Sequence, residues 1–313
     1  SLMETNWDDK QWGIPAYGFT YGIAYDKEAM RTAGVDPEHP FTTWDEFMEC
    51  CRKLKEAGIT PLGMGLKDGF LPAWIGIFLG QQNLDSVNEM IDLMSGNESF
   101  TDKKYAEWLY KIEELKNAGY INEDILSLDL YQGQQTIESG KAAMTLHTQA
   151  YAVSLEKSLG TDKIGFARAP VFGNGKFADS IASPSQVYVI PKSAKHKEGA
   201  AKFLMFLQED ENIKSLYEMA NVMMPNVNFK EEWLTSEIDK QVMKWKAEKG
   251  NFCYQLYFAP MFETDGLIPT VQKMFSEDLP PEGAAAELEE TLEKCREQNP
   301  EVHEAFINWS IAE

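Results

Sequence analysis

Aromatic and polar side chains recur where the chain leaves a strand. Tyr17, Phe19 and Tyr21 form the first group, in a stretch rich in Gly and aromatic residues. The later candidates are Asp68, Phe70, Trp74, His147, Gln149, Tyr151, Tyr257 and Phe258. Aromatic rings stack on the C–H faces of sugars, while carboxylate, amide and imidazole groups bond the hydroxyls. This combination predicts a carbohydrate-binding surface.

The positions of these residues fit that chemistry but also fit a structural role. Most of the groups follow strands, and open α/β sheets place their ligands at strand ends. Tyr and Phe at alternate strand positions are equally typical of core-facing residues, and an aromatic loop also covers apolar patches. From the residues alone, both interpretations stay open.

Signatures of catalysis are missing from the sequence. The four histidines, His39, His147, His196 and His303, form neither His-x-x-x-His nor His-Glu-x-x-His, and no Gly-x-Ser-x-Gly or P-loop occurs. Glycosidase carboxylates are set by geometry, and 50 acidic residues offer a plausible pair almost anywhere. We therefore predict no catalytic residues, no metal site and no cofactor.

The chain is strongly acidic, with a net charge of -21 over 313 residues. Such a surface repels phosphate backbones and anionic lipid, which disfavours nucleic acid as a partner. It favours neutral or cationic ligands. The four cysteines show no Cys-x-x-Cys spacing, so neither a zinc site nor a disulfide scaffold is indicated. No apolar run approaches the roughly 20 residues of a membrane span.

Alternating helix and strand signals predict an α/β protein. Thr43 has the position of a helix N-cap, and Phe47, Cys50, Cys51 and Leu54 follow at the i, i+3, i+4, i+7 spacing of one apolar face. The other expected elements are strands at 21–25, 60–65, 141–147, 164–170 and 186–190, helices over 71–95, 101–118, 131–140, 197–208 and most of 229–313, and a hairpin turn at 173–175.

Six blocks of sequence resemble, in this order, the extracellular solute-binding proteins of ABC importers, and most closely the sugar-binding family 1. Each block is weak alone, whereas the ordered set is specific and spans nearly the whole chain. The blocks are IPAYGFTYGIAYDK (14–27), TWDEF (43–47), LKEAGITP (54–61), ESGKAAM (138–144), IGFARAP (164–170) and IPKSAKHKEGAAKFL (190–204).

The resemblance implies a type II periplasmic-binding-protein-like α/β fold, whose two lobes close on a ligand about a hinge. In that family the first block is the crossover into the C-terminal lobe, so the resemblance implies a chain that lacks most of its N-terminal lobe. The implied divisions are 1–21 as hinge strand and N-lobe remnant, 22–180 as C-terminal lobe, 182–225 as N-lobe remnant strand and helix, and 226–313 as the helical part of the C-terminal lobe.

The resemblance also implies a function. The expectation is a non-enzymatic substrate-binding component of a bacterial ABC transporter that carries a sugar, an oligosaccharide, to the membrane permease. Its location would be extracellular, either periplasmic or membrane-anchored. In the family, the loop after the GKAAM strand often carries a sugar-stacking Trp; here Ala150 takes that position, with Tyr151 next to it. Phe19 stands where maltose-type relatives carry a carboxylate, which implies a different sugar specificity.

Two alternatives and one consequence accompany this expectation. The chain could be a carbohydrate-active enzyme that uses Asp68 or another acid on a similar two-lobed fold, or a binding protein for a peptide or polyamine, since the acidic charge permits a cationic ligand. If the N-terminal lobe is mostly missing, the helix over 197–220 exposes an apolar face, and self-association is expected.

Overall fold

The computed structural model describes residues 6–7, 10–253 and 258–309. Its strands form two two-stranded sheets, β1-β2 and β3-β8, and one four-stranded sheet in the order β5-β6-β4-β7. The strands are β1 Asn6–Trp7, β2 Lys10–Gln11, β3 Ile14–Gly18, β4 Tyr21–Asp26, β5 Thr60–Leu62, β6 Ala142–Thr148, β7 Ile164–Ala167 and β8 Ser185–Tyr188.

Helices make up most of the remaining regular structure. They are α1 Lys27–Thr32, α2 Trp44–Glu56, α3 Phe70–Leu79, α4 Asn88–Ser95, α5 Lys103–Asn117, α6 Leu130–Glu138, α7 Gln149–Leu159, α8 Lys197–Phe206, α9 Asp210–Ala220, α10 Glu237–Glu248, α11 Pro260–Phe262, α12 Ile268–Ser276, α13 Pro281–Gln298 and α14 Pro300–Ile307. A 3-10 turn, Glu231–Trp233, precedes α10, and a π-helix, Glu263–Leu267, joins α11 to α12.

The four-stranded sheet has helices on both faces. Successive residues of β4 serve different cores: Ile23 and Tyr25 join the core with α2, α3 and α5, while Ala24 joins the core with α7 and α10. This is the two-residue alternation of a strand that is buried on both sides. Gly22 leaves room for the Phe166 ring, because an added Cβ would lie 2.5 Å from a ring carbon.

The α2 helix begins as its sequence predicts. The Thr43 hydroxyl accepts from the Glu46 amide at 3.3 Å, and the Glu46 carboxylate accepts from the Thr43 amide at 2.9 Å. The predicted apolar face at Phe47, Cys50, Cys51 and Leu54 is buried. The capping box and the buried face together orient α2 against the sheet.

Three chain segments run side by side between β3-β8 and the larger sheet. The Gly18 amide donates to the Met223 carbonyl at 3.1 Å, and the Tyr21 amide donates to the Ala182 carbonyl at 2.9 Å. The Thr20 and Ser183 hydroxyls lie 3.0 Å apart, and both side chains are buried. Backbone bonds therefore tie the segments at 18–21, 182–184 and 221–224 together.

The segment at 182–225 divides its contacts unevenly. None of the residues of α8 is buried, and Phe203, Met205 and Phe206 are exposed by about half or more. In α9, by contrast, Tyr217 is buried within the core that α7 and α10 share. Assignment of 182–225 to a separate lobe stays a prediction, and the end of α9 packs against the larger body.

The hairpin expected at 173–175 is wrong. This segment instead crosses the end of α3, where the Gln82 side-chain oxygen accepts from the amides of Phe172 at 2.8 Å and Gly173 at 3.2 Å. Gly173 approaches so closely that an added Cβ would lie 2.3 Å from the Gln82 carbonyl oxygen. The glycine serves close packing here, not a hairpin turn.

Candidate functional site

Five aromatic side chains meet where β4 begins and β6 ends. The register pairs Tyr21 with Thr148, so both strand ends reach one edge of the sheet, beside the start of α3. We call Tyr21, Phe70, Trp74, His147 and Tyr151 the aromatic wall. All five were predicted site residues, and the structure brings them together.

Trp74 is the centre of the aromatic wall. Tyr21 meets its indole edge to face, with ring centroids 5.3 Å apart and planes at 62°. His147 meets it at 5.2 Å and 87°, and Phe70 lies 6.2 Å away. Tyr21 and His147 are buried, Trp74 is half-buried, and Phe70 is exposed. These contacts hold the indole in place, and part of it remains accessible.

Both nitrogens of His147 have partners within the protein. Nδ1 accepts from the backbone amide of Thr148 at 2.7 Å, so the proton of the neutral ring sits on Nε2. Nε2 lies against the side-chain amide of Gln134, which must turn its oxygen to this N–H. Burial lowers the pKa of His147 to about 3, so the ring is uncharged at neutral pH. His147 therefore supports Trp74 and supplies no positive charge.

Tyr151 continues the wall toward α6. Its ring centroid lies 4.3 Å from that of His147, and its hydroxyl contacts the Gln134 carbonyl at 3.1 Å and the Glu138 carboxylate at 3.2 Å. Burial and the neighbouring Glu138 raise the pKa of the Tyr151 phenol. Gln134 and Glu138 were not predicted. Their spacing of four residues places them on one face of α6, which is the signal that could have found them.

Tyr21 is held as an uncharged phenol. Burial raises its pKa, and the nearby Cys253 and Glu263 add to the effect. Glu263 opens the π-helix, a geometry that is frequent at functional sites. It is a second carboxylate near the wall that sequence reasoning missed.

Tyr17 and Phe19 form a separate pair. Their rings meet edge to face with centroids 5.2 Å apart, on the segment that leads from β3 into β4. Both side chains are half-buried. They lie on the crossover as predicted, and their part in binding stays a prediction.

Asp68 and Gln149 bond the protein's own backbone. The Asp68 carboxylate accepts from the Leu130 amide at 3.1 Å, which ties the loop before α3 to the start of α6. The Gln149 side chain is fully buried; its oxygen accepts from the Thr20 amide at 2.7 Å and its nitrogen donates to the Asn221 carbonyl at 3.3 Å. Gln149 thus joins two of the three side-by-side segments.

The predicted late-loop residues are placed only in part. Phe258 packs on Phe262, with ring centroids 5.0 Å apart, and borders the larger core. Tyr257 lies outside the described residues. Within the described ranges, no three His, Cys, Asp or Glu side chains come together as a metal site requires.

A polar groove of about 960 Å³ opens at the opposite end of the sheet. Thr60, Gln132 and Lys141 are among the described residues that line it, and none of these lining residues is aromatic. It begins where β5 and β6 begin, whereas the aromatic wall lies where β6 ends. Volume alone therefore does not identify the site, and the chemistry favours the aromatic wall.

Comparison with known sequences identifies the family. Residues 1–214 match the profile described as "Bacterial extracellular solute-binding protein". The chain belongs to the bacterial extracellular solute-binding proteins. The resemblance to this family stated from the sequence is confirmed, and so is the extracellular location, whereas the lack of most of the N-terminal lobe stays a prediction.

Curated relatives of this solute-binding protein share about a quarter of its residues. The sn-glycerol-3-phosphate-binding periplasmic protein UgpB of Shigella flexneri is 27% identical over 209 residues, which are 63% of this chain and 45% of the relative. UgpB of Escherichia coli K12 is 27% identical over 201 residues, 61% of this chain and 43% of the relative. The chain thus spans about half the length of the curated relatives it matches.

Solved structures share the fold of this solute-binding protein. A chitin oligosaccharide binding protein superposes with a TM-score of 0.79 at 23% identity, over 94% of this chain and 74% of that one. A Bacillus licheniformis sugar transporter in complex with stachyose superposes with a TM-score of 0.74 at 18% identity, over 93% of this chain and 75% of that one. The type II periplasmic-binding-protein-like α/β fold is confirmed.

Across the described ranges, none of the helices combines the length and the apolar character needed to cross a bilayer.

Proposed function

We propose that this solute-binding protein binds a neutral carbohydrate, an oligosaccharide, against the aromatic wall. The observation that carries the proposal is the packing of a half-buried Trp74 against Tyr21 and His147 in T-shaped contacts. An indole held in place by its neighbours keeps its accessible part ready for a sugar, which lowers the ordering cost of binding. The chitin oligosaccharide and stachyose proteins of the same fold support this ligand class.

The charge of the wall supports a neutral ligand. Its polar members are two protonated phenols and an imidazole that burial keeps uncharged. Glu138 and Glu263 beside it add negative charge, which suits sugar hydroxyls as hydrogen-bond donors. A phosphate group would be repelled by these acidic side chains and by the net charge of -21.

An anionic polyol is the second candidate, because the curated relatives are named for sn-glycerol 3-phosphate. Arg and Lys are the side chains that pair with phosphate. None of the five wall residues is of either type. We therefore rank glycerol 3-phosphate below a neutral oligosaccharide.

Catalysis has little support at this site. Asp68, the acid that an enzymatic role would use, accepts backbone N–H bonds at the start of α6 and α3. Such a carboxylate acts as a structural connector. We infer that the chain binds its solute unchanged and passes it to the permease subunits of an ABC importer, as the family context supports.

Calorimetric titration tests the ligand class. Chitin oligosaccharides, stachyose, glycerol 3-phosphate, a short peptide and spermidine are titrated into the chain. We expect heat from an oligosaccharide, with at least tenfold weaker binding after Trp74→Ala. Trp12→Ala, which removes an indole that is 60% exposed, is the matched control and keeps the affinity.

Each other outcome counts against the proposal. Binding of glycerol 3-phosphate alone would establish the anionic alternative, and binding of peptide or spermidine alone would keep the fold but discard the sugar. An oligosaccharide that binds equally well to the Trp74→Ala variant would move the site away from the aromatic wall. Release of a cleaved sugar, abolished by Asp68→Asn, would establish an enzyme.

A further inference from the structure

A buried carboxyl group at the start of α10 lacks the partners that an anion needs. The Asp239 side chain has no exposed surface. Its Oδ2 accepts from the Tyr217 hydroxyl at 2.7 Å, while Oδ1 has no hydrogen-bond partner among the described residues. An orphaned oxygen costs more on a carboxylate than on a neutral acid, because burial penalises charge most.

A second buried carboxyl lies on the adjacent helix. Glu156 of α7 is 3% exposed and contacts the Ser236 hydroxyl, which also accepts from the Ile238 amide at 3.1 Å. Burial and the neighbouring Glu156 raise the pKa of Asp239 to about 6, while the Tyr217 hydrogen bond opposes this. Burial and Glu237 likewise raise the pKa of Glu156.

Charged groups face this pair from several elements. Lys157 on α7 and Lys246 on α10 act on Asp239, and Lys27 with Lys157 acts on Glu156. These lysines favour the ionised forms, yet burial prevails at both carboxyls. Lys157 itself bonds the side chain of Asn221.

The buried carboxyls lie beside one of the three side-by-side segments. Tyr217, which holds Asp239, is on the last turn of α9, and the chain leaves α9 at Asn221 with a left-handed φ of 55°. Asn221 donates to the Ser154 hydroxyl at 3.2 Å and its carbonyl accepts from Gln149. Movement at Asp239 is thereby linked to the segment at 221–224.

We propose that the junction of α7, α9 and α10 is a proton-operated latch: Asp239 takes up a proton on mild acidification, and the junction opens less often once Asp239 is uncharged. Above the transition, local opening rehydrates the Asp239 carboxylate and separates it from Glu156. Below the transition Asp239 is already uncharged, so opening brings no gain in carboxylate hydration and α9 stays docked. The latch acts on the segment at 221–224, whatever solute the protein binds.

The direction of this pH effect follows from the linkage between proton binding and opening. A carboxyl whose pKa is higher in the closed state than in water binds more protons when closed, so the closed state gains stability as pH falls. With a pKa near 6 in the closed state and an ordinary one near 4 in the open state, opening becomes about tenfold rarer between pH 7.5 and 5.

Hydrogen exchange of the backbone amides at 217–224 tests the latch. After correction for the intrinsic exchange rate, we expect about tenfold greater protection at pH 5 than at pH 7.5. Asp239→Asn keeps the shape and removes the titration, so this pH effect should vanish. Glu248→Gln, which removes an exposed carboxyl from the last turn of α10, is the matched control and should keep the pH effect.

A second variant covers the case in which Asp239→Asn does not fold. Tyr217→Phe leaves the carboxyl but removes its hydroxyl donor, so the transition in protection should move to higher pH. An unchanged pH dependence in either variant would overturn the latch. So would equal protection of these amides at pH 5 and 7.5 in the unmodified chain.

Discussion

The imidazole of His147 meets the indole of Trp74 edge to face, with centroids 5.2 Å apart and planes at 87°. The hydrogen bond that orients the imidazole depends on an uncharged ring, since Nδ1 accepts from the Thr148 amide and would lose that bond on protonation. The site is therefore coupled to the stability of the fold through one titratable group.

His147 should make the protein less stable in acid. Its pKa is about 3 in the fold and near 6.5 in the unfolded chain, so the unfolded state binds more protons between these values. Stability falls as pH drops below about 6.5, and the unfolding constant rises about thirtyfold from pH 7.5 to 5 through this group. Urea unfolding of the unmodified chain and His147→Gln at both pH values measures the difference.

His196→Gln, which removes an exposed histidine, is the control for this measurement. A pH dependence that is the same with and without His147 would show that the ring is solvated. Asp239 acts in the opposite direction over part of the same range, so the comparison must be made between variants and not on the unmodified chain alone.

Gln149 should behave as a structural residue. Gln149→Leu leaves the Thr20 amide and the Asn221 carbonyl buried without their partner, which costs about 2–4 kcal/mol of unfolding free energy. Urea unfolding measures that loss, and Gln135→Leu on the exposed side of α6 is the control. If Gln149→Leu leaves the unfolding free energy unchanged but weakens solute binding, Gln149 contacts the solute, as the sequence predicted.

Even the smallest side chain at position 22 should destabilise the protein. In Gly22→Ala the new Cβ would lie 2.5 Å from the Phe166 ring and 2.6 Å from the Ala167 carbonyl oxygen, which cannot rotate away. We expect a loss of about 1–3 kcal/mol in unfolding free energy. Gly199→Ala in α8, where an added Cβ meets nothing within 4 Å, should instead gain about 0.5–1 kcal/mol. Equal effects at both positions would refute the packing argument.

Local features of this fold were predictable from sequence. The Thr43 cap and the apolar face of α2 need only residues within one helix, and the alternation of β4 needs only one strand. Long-range pairings were not. Gln134 contacts His147, and Gln149 bonds Asn221 across 72 positions, because sheet register and helix placement bring them together. A polar residue after a strand has the same sequence pattern whether it faces ligand or backbone, as Gln149 illustrates.

The exposed face of α8 carries the remaining prediction, which is self-association between copies of this chain. Phe203 is 58% exposed, and Met205 and Phe206 beside it are 63% and 49% exposed. Nothing in the described part of the chain covers them. Apolar surface of this kind favours contact with a second copy, while a net charge of -21 opposes it. We therefore expect association that grows with protein concentration and with salt, since salt screens the repulsion.

Light scattering over a concentration series at low and high salt measures this association. Replacing two rings of the face with charge, Phe203→Glu with Phe206→Glu, should return the protein to a monomer at all concentrations. Ile307→Glu is the matched control, because Ile307 on α14 is 59% exposed but lies outside α8. A monomer at every concentration and salt would contradict the prediction, and loss of association in the Ile307 variant would move the contact to α14.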